Sequence, residues 1–197
     1  PARSQARTRP SRVEATAVNR ADLSQRQGNY PPPPGASPIL GLECSGVIEA
    51  VGPGVNPERL GEHVCALLSG GGYAQKVVCP TTHTLPVPKG LSLLEAAALP
   101  EVMATAWLNL RQEGQLKNGE RVLLHAAASG VGTAALQLCR SWGCPVFAVV
   151  GSWEKATRCR ALGAEHTSLR QQDPWAQEVR AWGGVDVILD PVGGSIL

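Results

Sequence analysis

The rhythm of apolar and polar positions changes near Leu91. Ahead of it, from Ala17 to about Pro88, short apolar runs are broken by turn formers: Pro31 to Pro34, Gly52-Pro53-Gly54 and Gly70-Gly71-Gly72. The runs Val47-Ile48-Glu49-Ala50-Val51 and Ala74-Gln75-Lys76-Val77-Val78 predict strands bounded by turns, with connections expected of a β-rich barrel. Beyond Leu91, Ser92 and Glu95 have the spacing of a helix capping box, Ala96 to Leu99 continue the turn up to Pro100, and a second helix is predicted from Ala104.

From Arg121 onward strand-like and helix-like segments alternate. Strands are predicted over Arg121 to Ala126, Val146 to Val150 and Val185 to Leu189, and helices over Thr133 to Trp142 and Trp153 to Leu162, with a further helix before Val185. Gly163 stands where the second of those helices should stop, and Asp173-Pro174 supplies a cap and a first-turn proline for the next. Alternation of this kind is the signature of a parallel sheet covered by helices. The fold class is therefore α/β, with a β-rich region followed by a doubly wound domain.

The sharpest local motif is Ala127-Ala128-Ser129-Gly130-Val131-Gly132-Thr133-Ala134-Ala135, which reads G-x-G-x-x-A between a strand and an amphipathic helix. In that setting the first glycine is expected to permit the tight turn, the second to let backbone approach a pyrophosphate, and Ala135 to let the helix pack closely on the sheet. Ser129, Gly130, Val131 and Gly132 are the candidate phosphate-binding residues, because helix N-terminal amides attract anions. The next strand ends in Gly151-Ser152-Trp153-Glu154-Lys155 with no Asp at its tip. An NAD site would place an acid there for the ribose hydroxyls. Ser152 and Lys155 suit a 2′-phosphate instead, so the expected cofactor is NADPH; a capping serine and a solvated helix lysine are the plain structural alternatives.

Composition adds limits. The 197 residues are 43% hydrophobic and 17% charged, enough to bury a core, and the apolar runs Val122 to Leu124 and Val146 to Val150 are too short to span a bilayer. No charged-then-apolar leader opens the sequence, so the expected location is cytoplasmic. The net charge is +2, yet Arg3, Arg7, Arg9 and Arg12 supply four positive charges with no acid among the first twelve residues, so the body is mildly acidic. That basic opening, without aromatic residues, is expected to be a disordered, solvated end over residues 1–11, not a nucleic-acid arm. The six cysteines show no C-x-x-C pair, so they are expected to be reduced core thiols.

Several motifs in order, Asn19-Arg20-Ala21-Asp22-Leu23, Gln25-Arg26-Gln27-Gly28-Asn29-Tyr30, Pro32-Pro33-Pro34-Gly35-Ala36 and Ser129 to Ala135, resemble the zinc-free quinone oxidoreductases of the medium-chain dehydrogenase/reductase superfamily. The likeness runs from about Arg12 to Gly194. It implies a GroES-like domain over 12–99 and a Rossmann domain over 100–197, with the active site in the cleft between them. Carried over residue by residue, it implies that Gly130, Val131, Ser152 and Lys155 contact NADPH, that Thr105 lies near the nicotinamide, and that Asn19 and Tyr30 face the substrate. Tyr30 is then a hydrogen-bond donor to a substrate oxygen and Asn19 its orienting neighbour. From the residues alone, a tyrosine packed on prolines and a turn asparagine are equally good accounts.

Zinc-dependent relatives carry Gly-His-Glu where this chain has Gly41-Leu42-Glu43, and an aliphatic side chain cannot ligate a metal; no metal site is expected. Without a Lewis acid, a quinone or conjugated carbonyl is the expected substrate, because its reduction restores aromaticity or gives a delocalised enolate. The resemblance further implies that both domains are incomplete, that later Rossmann strands are missing, and that the surface through which the family forms homodimers is missing with them. An enoyl or enone reductase, and a non-catalytic dinucleotide- or partner-binding fragment, are the competing readings.

Overall fold

A computed structural model describes residues 8–171 and 174–193. The chain divides into two compact units, residues 1–101 and 102–197, two residues beyond the boundary anticipated between Leu99 and Pro100.

The first unit opens with β1 (Thr8–Thr16), followed by α1 (Arg20–Arg26), β2 (Glu43–Val51), β3 (His63–Leu67), β4 (Lys76–Val77), β5 (Thr84–Pro86) and the single turn α2 (Leu93–Ala96). Its five strands form an antiparallel sheet in the order β4-β1-β2-β3-β5, an open sheet whose outer strands are not paired with each other. Residues 8–11, expected to be part of a disordered end, belong to β1, where the backbone pairs Thr8 with Val51 and Arg9 with Ala50. Ladder hydrogen bonds satisfy the backbone there whatever the charge of the side chains. The predicted strand at 47–51 is the second half of a longer β2, and that at 74–78 contracts to Lys76–Val77.

β1 slips register between Val13 and Ala15, opposite Gly46 of β2. A Cβ at Gly46 would stand 1.9 Å from the Arg12 carbonyl oxygen, so the two central strands approach this closely only because residue 46 has no side chain. Beside them Cys44, Ala66, Leu68, Val77 and Cys79 form a small apolar core. All six cysteines are buried, and none is in a disulfide.

α3 (Pro100–Trp107) begins at Pro100, four residues earlier than predicted, because proline's fixed φ and missing N–H suit a first helical turn. It runs on into a wider π-helical turn, Leu108–Glu113. The second unit then alternates β6 (Val122–His125), α4 (Gly130–Ser141), β7 (Val146–Val150), α5 (Trp153–Leu162), β8 (His166–Leu169), α6 (Trp175–Ala181) and β9 (Val187–Leu189). The strands are parallel in the order β8-β7-β6-β9.

Every residue of β6 and β7 is buried, as strands covered on both faces must be. On one face, Val122, Leu124, Val146, Ala148 and Val150 pack against Ala134, Ala135, Leu136 and Cys139 of α4 and Ala156 and Cys159 of α5. On the other, Leu123, Phe147 and Val149 meet Val179, Trp175 and Trp182. Gly163 ends α5 in the left-handed conformation at φ 113°, where its amide bonds the Arg160 carbonyl and that of Ala164 the Cys159 carbonyl, the two bonds of a Schellman turn. α4 starts three residues before Thr133, at Gly130, and β8 is an addition to the predicted elements, because His166-Thr167-Ser168-Leu169 carries little apolar signal. Pro174, expected in the first turn of α6, stands instead at its N-cap position and makes no side-chain cap bond; Asp173, the expected cap, lies outside the described residues.

Substituting Gly46→Ala forces β1 and β2 apart at their tightest point, and overpacking of this kind destabilises by about 1–3 kcal/mol or more. Urea denaturation of the 197-residue chain checks this, and an unchanged midpoint would contradict the contact.

Candidate functional site

In the second unit the chain runs β6, β7, β8 to one side and then crosses through α6 to place β9 on the other side of β6. The strand order therefore reverses between β6 and β9, and in open α/β sheets ligands bind outside the carboxyl ends of the strands at such a point.

β6 ends at His125 and the chain turns at once through Ala126, whose φ of 48° is left-handed, with the Ser129 amide bonded to the Ala126 carbonyl at 2.8 Å. The turn expected at Gly130 is thus made by Ala126; Gly130 has no positive φ. Ser129 caps α4: its Oγ accepts from the Gly132 amide at 3.1 Å and its carbonyl from the Thr133 amide at 2.8 Å. The Gly130 and Val131 amides have no partner among the described residues. Two amides without partners among the described residues thus stand at the head of a 12-residue helix, beside an exposed Ser129 and Gly130, and helix N-terminal amides attract anions.

Gly132 does something the motif does not announce. A Cβ there would lie 2.5 Å from the Ala127 carbonyl oxygen and 2.7 Å from that of Ala126. The missing side chain lets α4 start hard against the turn that follows β6, which fixes where its first amides point. Ala135 is fully buried on the sheet, as close helix packing requires.

β7 pairs in parallel with β6, matching Val149 with His125, so both strands end at the same edge. Past β7, Gly151 is exposed, with open space where a Cβ would stand. Ser152 caps α5, its Oγ accepting from the Lys155 amide at 3.3 Å. The capping role is therefore real, and it leaves the hydroxyl proton of Ser152 available to a ligand. Lys155 is exposed and forms no ion pair among the described residues. Ser129 to Gly132 and Ser152 to Lys155 thus stand at neighbouring strand ends. Thr105 belongs to the same unit, on α3, where its carbonyl accepts from Asn109.

Asn19 and Tyr30 belong to the first unit. Asn19 sits at the head of α1, and its Nδ2 donates to Glu43 Oε1 at 2.7 Å. Tyr30 is exposed in the turn after α1. Around Asn19 lies a polar network that the local sequence does not reveal. Glu43, 1% exposed, also accepts from the Glu101 amide at 2.9 Å; Asp22, 2% exposed, accepts from the Asn19 amide at 2.8 Å and the Gly41 amide at 3.1 Å. Burial pushes the Glu43 carboxyl above its ordinary range; its bonds to Asn19 and Glu101 oppose this, and the nearby Glu101 and Asp22 carboxylates reinforce it. Tyr73, bonded to Asp22, is pushed up to about 12, first by burial and then by that carboxylate. An acid inside an apolar run is the only sign in the sequence, since the partners of Glu43 lie 24 and 58 residues away along the chain.

Near the strand reversal, His125 Nδ1 and Asp190 Oδ2 are buried without hydrogen bonds. Among the described residues, no three His, Cys, Asp or Glu side chains are grouped to hold a metal ion, and no helix is long and apolar enough to cross a membrane.

Two family profiles match the chain: the alcohol dehydrogenase GroES-like domain over residues 11–89 and zinc-binding dehydrogenase over residues 130–197. The synaptic vesicle membrane protein VAT-1 homolog of Danio rerio is 40% identical over 186 residues, covering 93% of this chain and 38% of that protein. A mycocerosic acid synthase-like polyketide synthase of Mycobacterium tuberculosis is 34% identical over 93% of this chain and 9% of its own length. Among solved structures, the quinone oxidoreductase of Thermus thermophilus, determined also in complex with NADPH, superposes with a TM-score of 0.80 at 37% identity, over 95% of this chain and 59% of that one. The chain thus spans about a tenth to three fifths of the length of these relatives.

Gly132→Ala drives a methyl group into the Ala127 carbonyl, which is expected to cost about 1–3 kcal/mol and to shift the head of α4. Thermal denaturation reads the first effect, and loss of anion binding at the Gly130 and Val131 amides, followed by NMR, reads the second. His125 supplies a pH test. Burial holds its imidazole below the ordinary value of 6.5; Asp190 opposes that and Arg170 adds to it. The unfolded chain therefore takes up this proton at higher pH than the folded chain, so its contribution to stability is present above 6.5 and is lost as pH falls below it. His125→Phe should flatten that decline in urea titrations between about pH 5 and about pH 8, and an unaltered slope would count against it.

Proposed function

Because the chain belongs to the quinone-oxidoreductase-like proteins of the medium-chain dehydrogenase/reductase superfamily, we propose that it carries the NADPH site and the substrate-facing residues of a quinone reductase. The observation that carries the proposal is the pairing of two helix N-termini at the adjacent carboxyl ends of β6 and β7, one with two free amides and the other with Ser152 and Lys155 in place of an acid. The donors suit the cofactor's charges: two backbone amides for the pyrophosphate, a hydroxyl and an ammonium for the 2′-phosphate, and no carboxylate at the tip of β7 to repel it. NADPH, when bound, supplies a hydride.

The chain's own residues bind and orient. Gly130 and Val131 anchor the pyrophosphate through main-chain N–H groups, and Ser129 and Gly132 hold those groups in place. Ser152 and Lys155 select the phosphorylated ribose, and Thr105 borders the nicotinamide. In the first unit Asn19 and Tyr30 meet the substrate, with Tyr30 donating from its phenol to a substrate oxygen. Leu42 stands where zinc-dependent relatives carry a histidine ligand, so polarisation of the substrate rests on hydrogen bonds. A quinone suits such a site because the aromatic ring formed on reduction supplies driving force. The polyketide synthase relative favours a second reading, reduction of a conjugated carbonyl at the same site.

Calorimetric titration of the 197-residue chain with NADPH and with NADH tests the cofactor, and a panel of quinones and conjugated carbonyls tests the substrate class. Lys155→Ala should weaken NADPH binding about tenfold to a hundredfold, the worth of a charge-assisted hydrogen bond, and leave NADH binding nearly unaltered. An equal loss for both cofactors would reject the 2′-phosphate assignment. Saturable binding without turnover of any panel member would identify a dinucleotide-binding fragment.

A further inference from the structure

We propose that a cleft in the first unit binds a small organic anion, a carboxylate carried on an apolar ring or short chain. None of the residues assigned above to cofactor or substrate lines this cleft, so the inference stands apart from the quinone reductase reading.

Two motifs that the cofactor site leaves unused build it: the proline run that ends at Pro34 and the glycine run that begins at Gly70. Their segments are held against each other. The Gly71 amide bonds the Ile39 carbonyl at 2.7 Å, and a Cβ at Gly70, whose φ is 142°, would stand 2.8 Å from the Ser37 carbonyl oxygen. The two walls close this tightly only because residue 70 has no side chain. Between them and the segment that follows β4 lies a volume of about 300 Å³, at the lower end of the range for small-molecule sites. Because its walls are already joined, little ordering is required of the protein on binding.

The chemistry of the lining selects the ligand. Buried Leu68 and exposed Val78 give it apolar surface. Its polar groups are weighted toward donors. The backbone amides of Ser69 and Gly70 have no hydrogen-bond partner among the described residues. Ser37 Oγ already accepts from the Ile39 amide at 3.2 Å, so what it has left to offer is its proton. The exposed His83 imidazole adds a further N–H. No aspartate or glutamate is among the lining residues, so an anionic oxygen meets donors without a carboxylate to repel it, and a cation finds no carboxylate to pair with. The apolar surface has nothing to offer a bare inorganic ion, and the combination fits a ligand with an anionic head and an apolar body.

Three probes separate these features when the 197-residue chain is titrated and followed by amide NMR: benzoate, which has both head and body, benzyl alcohol, which lacks the charge, and acetate, which lacks the body. Benzoate should move the Ser69 and Gly70 amide resonances saturably at around millimolar concentration, the strength open to a ligand of its size, and both other probes should bind more weakly. Val78 provides a charge test, because it lines the cleft and is 54% exposed, so a polar substitution there leaves the core intact. Val78→Glu should weaken benzoate binding about two- to fivefold, the worth of a like charge at an exposed site, and Val78→Lys should not weaken it.

Ser69 and Gly70 resonances that stay still under benzoate overturn the site. Equal binding of benzyl alcohol overturns the anionic head, equal binding of acetate overturns the apolar body, and equal affinity for benzoate in V78E and V78K overturns its placement in the cleft. Should either variant fail to fold, the three probes on the native chain still decide. NADPH titrations of the native chain with and without benzoate keep this result apart from the cofactor site: unaltered NADPH affinity supports a separate cleft, and competition between the two overturns it.

Discussion

The parallel pairing of β6 with β7 is the interaction on which the second unit depends. Both strands are buried on both faces, so their backbone groups have no water to turn to and must be satisfied in the ladder that aligns Val122 to His125 with Val146 to Val149. That register brings the two strands to the same edge together. Helices that begin just beyond it then begin side by side, and the free amides of α4 and the capped turn of α5 become one surface. The side chains covering the ladder are short on the helical side, with Ala134, Ala135 and Ala156 where the helices touch the sheet. Gly132 has none at all where α4 leaves the turn. The direction of the first α4 amides follows from how closely a helix can approach a strand.

The first unit is organised by a different constraint. Its apolar core is small, and beside it two carboxylates, Glu43 and Asp22, are almost wholly buried. Burying a charge is tolerable only where hydrogen bonds replace the lost water. Each of these carboxylates gains two N–H donors, three of the four from backbone, so the network holds the start of α1, the Gly41 turn and the head of α3 in fixed relation. The bonds that make a buried Glu43 acceptable also decide how Asn19 is held.

Much of the second unit is legible from residue order. β7 and α5 have the predicted bounds, Gly163 ends α5 as anticipated, and Ser92 with Glu95 closes the capping box that their spacing implies. These features depend on neighbours within a few residues, and so does the placing of Ser129 and Ser152 at helix heads. Where structure departs from expectation, the cause is tertiary. Glycine adopts a positive φ most easily, which points to Gly130 for the turn, yet Ala126 takes it, held by the burial of β6 before it and the cap after it. Residues 8–11 look like a solvated tail by charge and composition, but a strand edge cares about backbone donors and acceptors. β8 is a strand because of its neighbours and not its own side chains, so nothing in its sequence marks it.

The sequence by itself determined the alternation of β6, α4, β7 and α5, the glycine that stops α5, and the absence of an acid at the tip of β7. All of these rest on local conformational preference and on the period of apolar residues. Tertiary structure alone decided that Gly132 is needed for contact with the Ala126 and Ala127 carbonyls, and that Gly46 is needed for contact with Arg12. It alone decided that Asn19 answers to Glu43. Those contacts join residues that spacing along the chain does not relate, or atoms whose approach depends on how a helix and a strand meet, and such distances exist only once the chain has folded.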